Sequence, residues 1–182
     1  MGALPRTLPA KGTQMRQQFS TDTVERYIEA TPEALYDIVS DVTRTPELSP
    51  EVAHCEWIDG ATGPVVGARF RARNSVGRGP DWHNKPVVTV AERGREFVFE
   101  RTEPLAGTVQ WGYRFEPRGT GTCVTEWYRM TKELTIVGWF IIGGIYGLKD
   151  RTGDLRRGML ATLERLAAVA EPAHRGSGAP RA

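Results

Sequence analysis

The sequence predicts an α+β domain in which one long C-terminal helix covers a curved antiparallel sheet. Three observations support this prediction: a helical patch follows the first strand, short alternating strands fill the middle of the chain, and an amphipathic helix comes last. Alternation of polar and apolar residues gives a strand one buried and one solvated face, which is typical of antiparallel sheets. The apolar stripe of the last helix supplies the cover that the buried face needs. This order predicts an apolar space between sheet and helix.

The first elements are a strand over residues 24–30 and a short helix that starts at Thr31-Pro32-Glu33. A capping hydroxyl, a proline at the first helical position and an acid in the first turn are each favourable there. We expect this helix to end near Ser40. A second short helix is expected over residues 45–48, and Pro50 prevents its extension.

Six further strands are predicted between glycine- and proline-containing turns, which gives seven strands in total. Their expected ranges are 52–59, 68–74, 82–92, 95–101, 108–116 and 122–134. The closing helix follows, with Leu148, Leu155, Met159, Leu163 and Leu166 recurring at three- and four-residue steps on one face.

Composition and charge indicate one globular domain with tails. The chain has 182 residues, of which 40% are hydrophobic and 25% are charged, and it is long enough to bury a sizeable core. Residues 1–18 and 172–182 are predicted to be flexible tails around a domain at residues 19–171, because Pro172 is expected to stop the final helix. A net charge of +2 is too small to indicate nucleic-acid binding. Two cysteines without a secretory signal favour free thiols and a cytoplasmic location.

The apolar segment from Ile136 to Gly147 stands out directly before the last helix. It has about a dozen residues and four glycines, whereas a membrane-spanning helix needs roughly 20 apolar residues. The segment could form a lid, a homodimer patch or a transient membrane contact. Packing against the sheet edge is an equally good interpretation.

The order of these pieces resembles the START-like (SRPBCC, helix-grip) superfamily, and within it the polyketide cyclase/dehydrase and lipid-transport family. The resemblance extends over about residues 24–170 and rests on four stretches: IEATPEALYDIVSDVTRTPELSPEV, CEWIDGATGPVVGARF, GYRFEPRGTGTCVTEWYRM and RGMLATLERL. It implies a helix-grip fold with a cavity for a hydrophobic small molecule. Leu48 departs from the tryptophan that the family often has before Ser-Pro-Glu-Val, and the apolar segment is more hydrophobic than expected for the family. Because of these two departures, the resemblance does not identify the ligand.

Sheet alternation and the helix stripe predict which side chains would contact a ligand. They form a mostly aromatic set with a few polar groups, which is typical of pockets for apolar molecules and also of a filled core. The predicted ligand-binding residues are Phe70, Asn74, Trp82, Asn84, Phe97, Phe99, Trp111, Tyr113, Glu126, Tyr128, Leu155, Met159 and Leu163.

Glu126 is the sharpest candidate for chemistry. A carboxylate on the inner face of a strand is costly unless it is paired or protonated. It could accept a proton or anchor a ligand hydroxyl, or it could form an internal bond with Arg101 or Tyr113. Asn74 and Asn84 could bond a ligand carbonyl, each other or water.

Two functions from different classes remain. The sequence favours a non-catalytic binder or carrier of a lipid, isoprenoid or polyketide-like compound. The alternative is a cyclase, aromatase or dehydratase that uses Glu126 with Tyr113 or Tyr128 as acid and base. A weaker alternative is an interaction module that uses the apolar segment. No cofactor or metal is expected, because three histidines and two distant cysteines lack metal-ligand spacing.

Overall fold

The computed structural model describes residues 21–177 except 78, 104–106 and 133–149. The predicted N-terminal tail and the apolar segment lie outside these residues, and so do residues 178–182 of the predicted C-terminal tail. The strands are β1 (Thr21–Ile28), β2 (Val52–Ile58), β3 (Arg69–Asn74), β4 (Trp82–Asn84), β5 (Val87–Glu92), β6 (Glu96–Glu103), β7 (Gly107–Arg118) and β8 (Gly121–Lys132). The helices are α1 (Pro32–Ser40), α2 (Thr45–Leu48) and α3 (Arg151–Ser177), with a 3₁₀ turn at Val42–Arg44.

The strands form one antiparallel sheet in the order β1-β8-β7-β6-β5-β3-β2, with β4 also paired to β3. The predicted α+β helix-grip class is confirmed, but the sheet has eight strands rather than seven. The predicted strand over residues 82–92 is divided into β4 and β5 at Lys85-Pro86. Proline has no amide hydrogen to donate to a ladder, which favours a break there. The carbonyl of Pro86 still accepts a bond from Phe70 N at 3.2 Å, so both pieces stay beside β3.

The first helix begins as its sequence predicts. The Thr31 hydroxyl accepts a hydrogen bond from Ala34 N at 3.3 Å, and Pro32 occupies the first helical position. Leu35, Tyr36 and Val39 are buried, and α1 contacts β6, β7 and α3. The apolar face of α1 is therefore part of the core between the sheet and α3.

The long helix α3 packs across the sheet and contacts β1, β8, α1 and α2. Its buried stripe includes Leu155, Met159, Leu163 and Leu166. The prediction that Pro172 ends this helix is wrong, because helical backbone continues to Ser177. A proline removes one backbone bond, and the buried stripe before it already fixes the helix on the sheet.

Alternation along the strands separates the two faces of the sheet. In β3, Phe70, Ala72 and Asn74 are buried, whereas Arg69 and Arg71 are exposed. The buried face therefore turns toward α3 and forms one wall of the site.

Candidate ligand-binding site

A cavity of about 110 Å³ lies between the inner face of the sheet and α3. Three regions supply its walls: the sheet, α3, and the stretch from the end of α1 to the start of β2. The lining residues are Val39, Val42, Thr45, Leu48, Ser49, Pro50, Glu51, Val52, Cys55, Phe70, Ala72, Asn74, Asn84, Pro86, Phe97, Phe99, Arg101, Trp111, Tyr113, Glu126, Arg151, Leu155, Gly158, Met159 and Thr162.

Most of the residues predicted to contact a ligand meet at this cavity. They are Phe70, Asn74, Asn84, Phe97, Phe99, Trp111, Tyr113, Glu126, Leu155 and Met159. Tyr128, Leu163 and Trp82 do not line it. Tyr128 is buried on the same face of the sheet, and its ring stacks on the cavity-lining Trp111 at 5.4 Å between centroids. Leu163 lies further along α3 in the apolar core, and Trp82 is half-buried at the start of β4.

Sequence reasoning missed the contribution of the stretch between α1 and β2. Leu48, Ser49, Pro50 and Glu51 lie at the cavity, although they read as a short helix and its turn. The only signal for them was the resemblance, in which Leu48 marked a departure from the family pattern. Arg151 was missed because a charged residue in the first turn of a helix is usually solvated.

Glu126 lies at the centre of the polar contacts. Its side chain is 1% exposed. Trp111 Nε1 donates to its Oε1 at 3.0 Å, and the Tyr113 hydroxyl donates to the same oxygen at 2.9 Å. The predicted bond to Tyr113 is thus confirmed, and it follows from the register that pairs Tyr113 with Glu126. The predicted pairing with Arg101 is not found, since Arg101 contacts Glu103 instead.

The second carboxyl oxygen of Glu126, Oε2, is buried and has no hydrogen-bond partner within the described residues. Burial raises the pKa of Glu126 to about 8, although the bonds from Trp111 and Tyr113 oppose this shift. A carboxyl with this pKa is mostly protonated at neutral pH. Glu126 therefore presents a neutral acid whose free oxygen can donate or accept.

Tyr113 remains a neutral donor beside this acid. Burial raises its pKa well above the usual value of 10.0, and the neighbouring Glu126 raises the pKa further. The hydroxyl is consequently protonated at any pH at which Glu126 titrates. Of these two groups, only the Glu126 carboxyl can release or take up a proton near neutral pH.

Two arginine–glutamate pairs lie at the cavity. Arg151 is 9% exposed and donates to both carboxylate oxygens of Glu51, at 2.5 and 2.8 Å. Arg101 approaches Glu103 at 3.5 Å. Burial lowers the pKa of Arg101, but a guanidinium in a protein keeps its charge. The cavity thus combines apolar walls with a charged end.

The predicted asparagine pair does not form a mutual hydrogen bond. Asn74 Nδ2 makes one long contact, 3.5 Å, to the carbonyl of Ala72. Asn84 Oδ1 is buried without a hydrogen-bond partner in the described part of the chain. Asn84 therefore offers an acceptor to a ligand hydroxyl, and Asn74 offers a weakly used donor.

Other kinds of site find no support in the described residues. No group of three or more His, Cys, Asp and Glu side chains there could hold a metal ion. The Cys55 thiol lines the cavity, but burial raises its pKa to about 12, so it is not an activated nucleophile. No helix among residues 21–132 and 150–177 is long and apolar enough to cross a membrane.

A family model described as polyketide cyclase/dehydrase and lipid transport matches residues 21–171. The chain belongs to this family. The match includes the whole sheet and the part of α3 that packs on it. No curated protein matches the sequence. Membership associates the cavity with hydrophobic small molecules, and the family description covers both catalysis and transport.

Solved structures agree with this assignment. The di-domain ARO/CYC StfQ of the steffimycin biosynthetic pathway is 16% identical with a TM-score of 0.67, and the alignment covers 90% of this chain and 54% of that one. The present chain thus spans about half of that protein. Protein CV1439 of Chromobacterium violaceum is 16% identical with a TM-score of 0.62, and the alignment covers 84% of this chain and 98% of that one. The Polyketide_cyc-like protein Cgl2372 of Corynebacterium glutamicum is 30% identical with a TM-score of 0.50, covering 83% and 88%.

Proposed function

We propose that the protein binds or carries a hydrophobic small molecule, such as a lipid, an isoprenoid or a polyketide-like compound, between the sheet and α3. The cavity of about 110 Å³ carries this proposal. Its walls are mainly apolar, with Leu48, Phe70, Phe97 and Met159 among them. Pockets for apolar ligands combine such walls with a few placed polar groups.

The size of the space limits what fits without rearrangement. Pockets for drug-sized ligands are on the order of 300–1,000 Å³, whereas an apolar cavity of about 150 Å³ accepts benzene. The observed volume of about 110 Å³ is smaller than this, so one aromatic ring fills the cavity and needs a small adjustment of the lining side chains. A larger ligand requires lining side chains to move, and the flexible side chain of Met159 suits such a change.

The test begins with native mass spectrometry of the purified protein, followed by extraction of any bound compound and titration with an apolar library. We expect one molecule bound per chain. Gly158 of α3 lines the cavity, and a Cβ built there meets Pro50 at 3.8 Å, another lining residue. Gly158→Leu therefore fills the space, and we expect it to weaken binding at least about tenfold. Ala168→Leu, on the exposed side of the same helix, is the matched control.

Two results would count against the binder. One is a Gly158→Leu protein that binds as tightly as the wild type. The other is a wild-type protein that carries no apolar compound and takes up none from the library. Either result would indicate that the described space does not hold the ligand.

The second candidate function is catalysis of the cyclase, aromatase or dehydratase kind. The observation that favours it is the pKa of about 8 at Glu126, next to the Tyr113 hydroxyl. A general acid or base works best when its pKa lies near the operating pH. Of the two predicted tyrosines, Tyr113 is the better partner, since it lines the cavity and bonds Glu126, whereas Tyr128 does not line it.

Turnover of a poly-β-ketone analogue, followed by mass spectrometry of the cyclised product, tests this candidate. We expect Glu126→Gln and Tyr113→Phe to lower kcat on the order of 100-fold. Tyr27→Phe is the control, because Tyr27 is 43% exposed. Unchanged turnover in the first two variants would exclude Glu126 and Tyr113 as the acid and base.

A further inference from the structure

The two arginines at the cavity differ in how their charges are partnered. Arg151 is held by both oxygens of Glu51. Arg101 has one charged contact among the described residues, to Glu103 at 3.5 Å, which is longer than an ordinary charge-assisted hydrogen bond. No hydrogen bond from its guanidinium is found there. Arg151 thus has a bidentate partner, whereas the guanidinium of Arg101 has no hydrogen-bonded partner among the described residues.

The guanidinium of Arg101, which has no hydrogen-bonded partner among the described residues, is suited to binding an anion in the cavity. Arg101 lines the cavity, and its side chain is only 24% exposed. It has five N–H donors in a planar fork and remains charged. Donors that have no hydrogen-bond partner in the described chain are available to a ligand that replaces their solvent. A carboxylate matches the fork because two parallel hydrogen bonds form at once.

The strand register places Arg101 and Glu126 at opposite ends of one surface. Arg101 pairs with Val109 of β7, Val109 pairs with Met130 of β8, and Glu126 precedes Met130 on the same face. Two strand spacings and a rise of four residues separate their Cα atoms by about 16 Å on a flat sheet. Both side chains rise from this one face, and a modest lean of each toward the other leaves their polar atoms about 12 Å apart. A para-substituted aromatic acid measures about 6–7 Å between its end oxygens, and a hydrogen bond of about 2.8 Å at each end extends its reach to about 12 Å.

We propose that the ligand of this cavity is an aromatic carboxylate whose carboxylate binds Arg101 and whose hydroxyl or carbonyl oxygen at the other end bonds Glu126 Oε2. The proposal rests on the proposed binding function and names its ligand class. Three observations agree on it: the under-partnered guanidinium, the buried Oε2 without a partner in the described chain, and a space of about 110 Å³ between aromatic walls.

Isothermal titration with 4-hydroxybenzoate and 4-hydroxycinnamate, each beside its methyl ester, tests the charged end. We expect each acid to bind on the order of 10- to 100-fold more tightly than its ester, because the free energy of a hydrogen bond to a charged group corresponds to this ratio of affinities. Arg101→Met should abolish the difference without weakening the esters, and Arg101→Lys should retain part of it. Arg114→Met removes an exposed guanidinium from the outer face of β7 and should change nothing.

The polar end is tested by comparing 4-hydroxycinnamate with cinnamate. We expect the gain from the hydroxyl to shrink in Glu126→Gln, whose acid–ester difference should persist because Arg101 is intact. Circular dichroism and retained ester binding establish that Arg101→Met is folded. These controls separate loss of the anion contact from loss of the fold.

If the esters bind the wild type as tightly as the acids, the ligand does not need a carboxylate and this proposal is refuted. The proposed binding function is not affected by that result. Failure of both acids and esters to bind at about 1 mM would also overturn it. The binding function is then decided separately by native mass spectrometry with the neutral apolar library. A co-purified neutral compound without an acidic group would support the function and refute this ligand class.

Discussion

Replacing Glu126 by glutamine should change how the stability of the protein depends on pH. Burial raises the pKa of this carboxyl from 4.5 to about 8 in the folded protein. The folded state therefore holds a proton that the unfolded state releases between these values. The corresponding stabilisation is fully present below about pH 4.5 and is lost as pH rises through about 8.

The magnitude follows from the interval between the two pKa values. Each pH unit within it corresponds to about 1.4 kcal/mol, so the loss from pH 5 to pH 8 is at most about 4 kcal/mol. Local rearrangement reduces this figure, and we expect on the order of 2–4 kcal/mol. Glutamine does not titrate, and its carbonyl oxygen can still accept from Trp111 and Tyr113. Glu126→Gln should thus be about as stable as the wild type at pH 5 and more stable at pH 9.

Urea denaturation at five pH values between 5 and 9, followed by circular dichroism, measures this difference. Groups that titrate alike in both proteins cancel in the comparison. Glu116→Gln, on the exposed side of β7, controls for the loss of one carboxyl. A stability difference that stays constant from pH 5 to 9 would refute a neutral Glu126. A glutamine variant that is less stable at pH 9 would show that the native carboxylate is charged and paired.

Two further predictions concern packing and thiol reactivity. A Cβ at Gly112 would overlap the ring of Trp127, so Gly112→Ala should lower the free energy of unfolding by about 1–3 kcal/mol. Gly63→Ala, where nothing lies within 4 Å, should change it by less than about 0.5 kcal/mol in urea denaturation. Of the two thiols, the native protein should expose only Cys123 to Ellman's reagent, because Cys55 is 3% exposed and burial raises its pKa to about 12. Rapid reaction of Cys55 in a Cys123→Ser variant would contradict this.

Local patterns were sufficient to predict the order of the elements and the inner face of the sheet. Thr31-Pro32 predicts the start of α1 because capping acts within one turn. Alternation places Phe97 and Glu126 inward because the side-chain period of a strand is two. The same rule predicted one strand over residues 82–92, and there the chain breaks at Pro86. Whether a proline ends a strand depends on the adjacent strands of the sheet, and the local sequence pattern carries no information about them.

The sequence by itself determined the fold class, the aromatic inner face and the presence of a carboxyl within it. Tertiary structure decided which of the possible partners each ionisable side chain has. Glu126 bonds Trp111 and Tyr113 instead of Arg101, because cross-strand register sets which side chains are adjacent. Glu51 pairs with Arg151 across 100 residues of chain. Periodicity is a property of neighbours in sequence, whereas the energy of a buried charge depends on whatever the fold brings within a few ångströms of it.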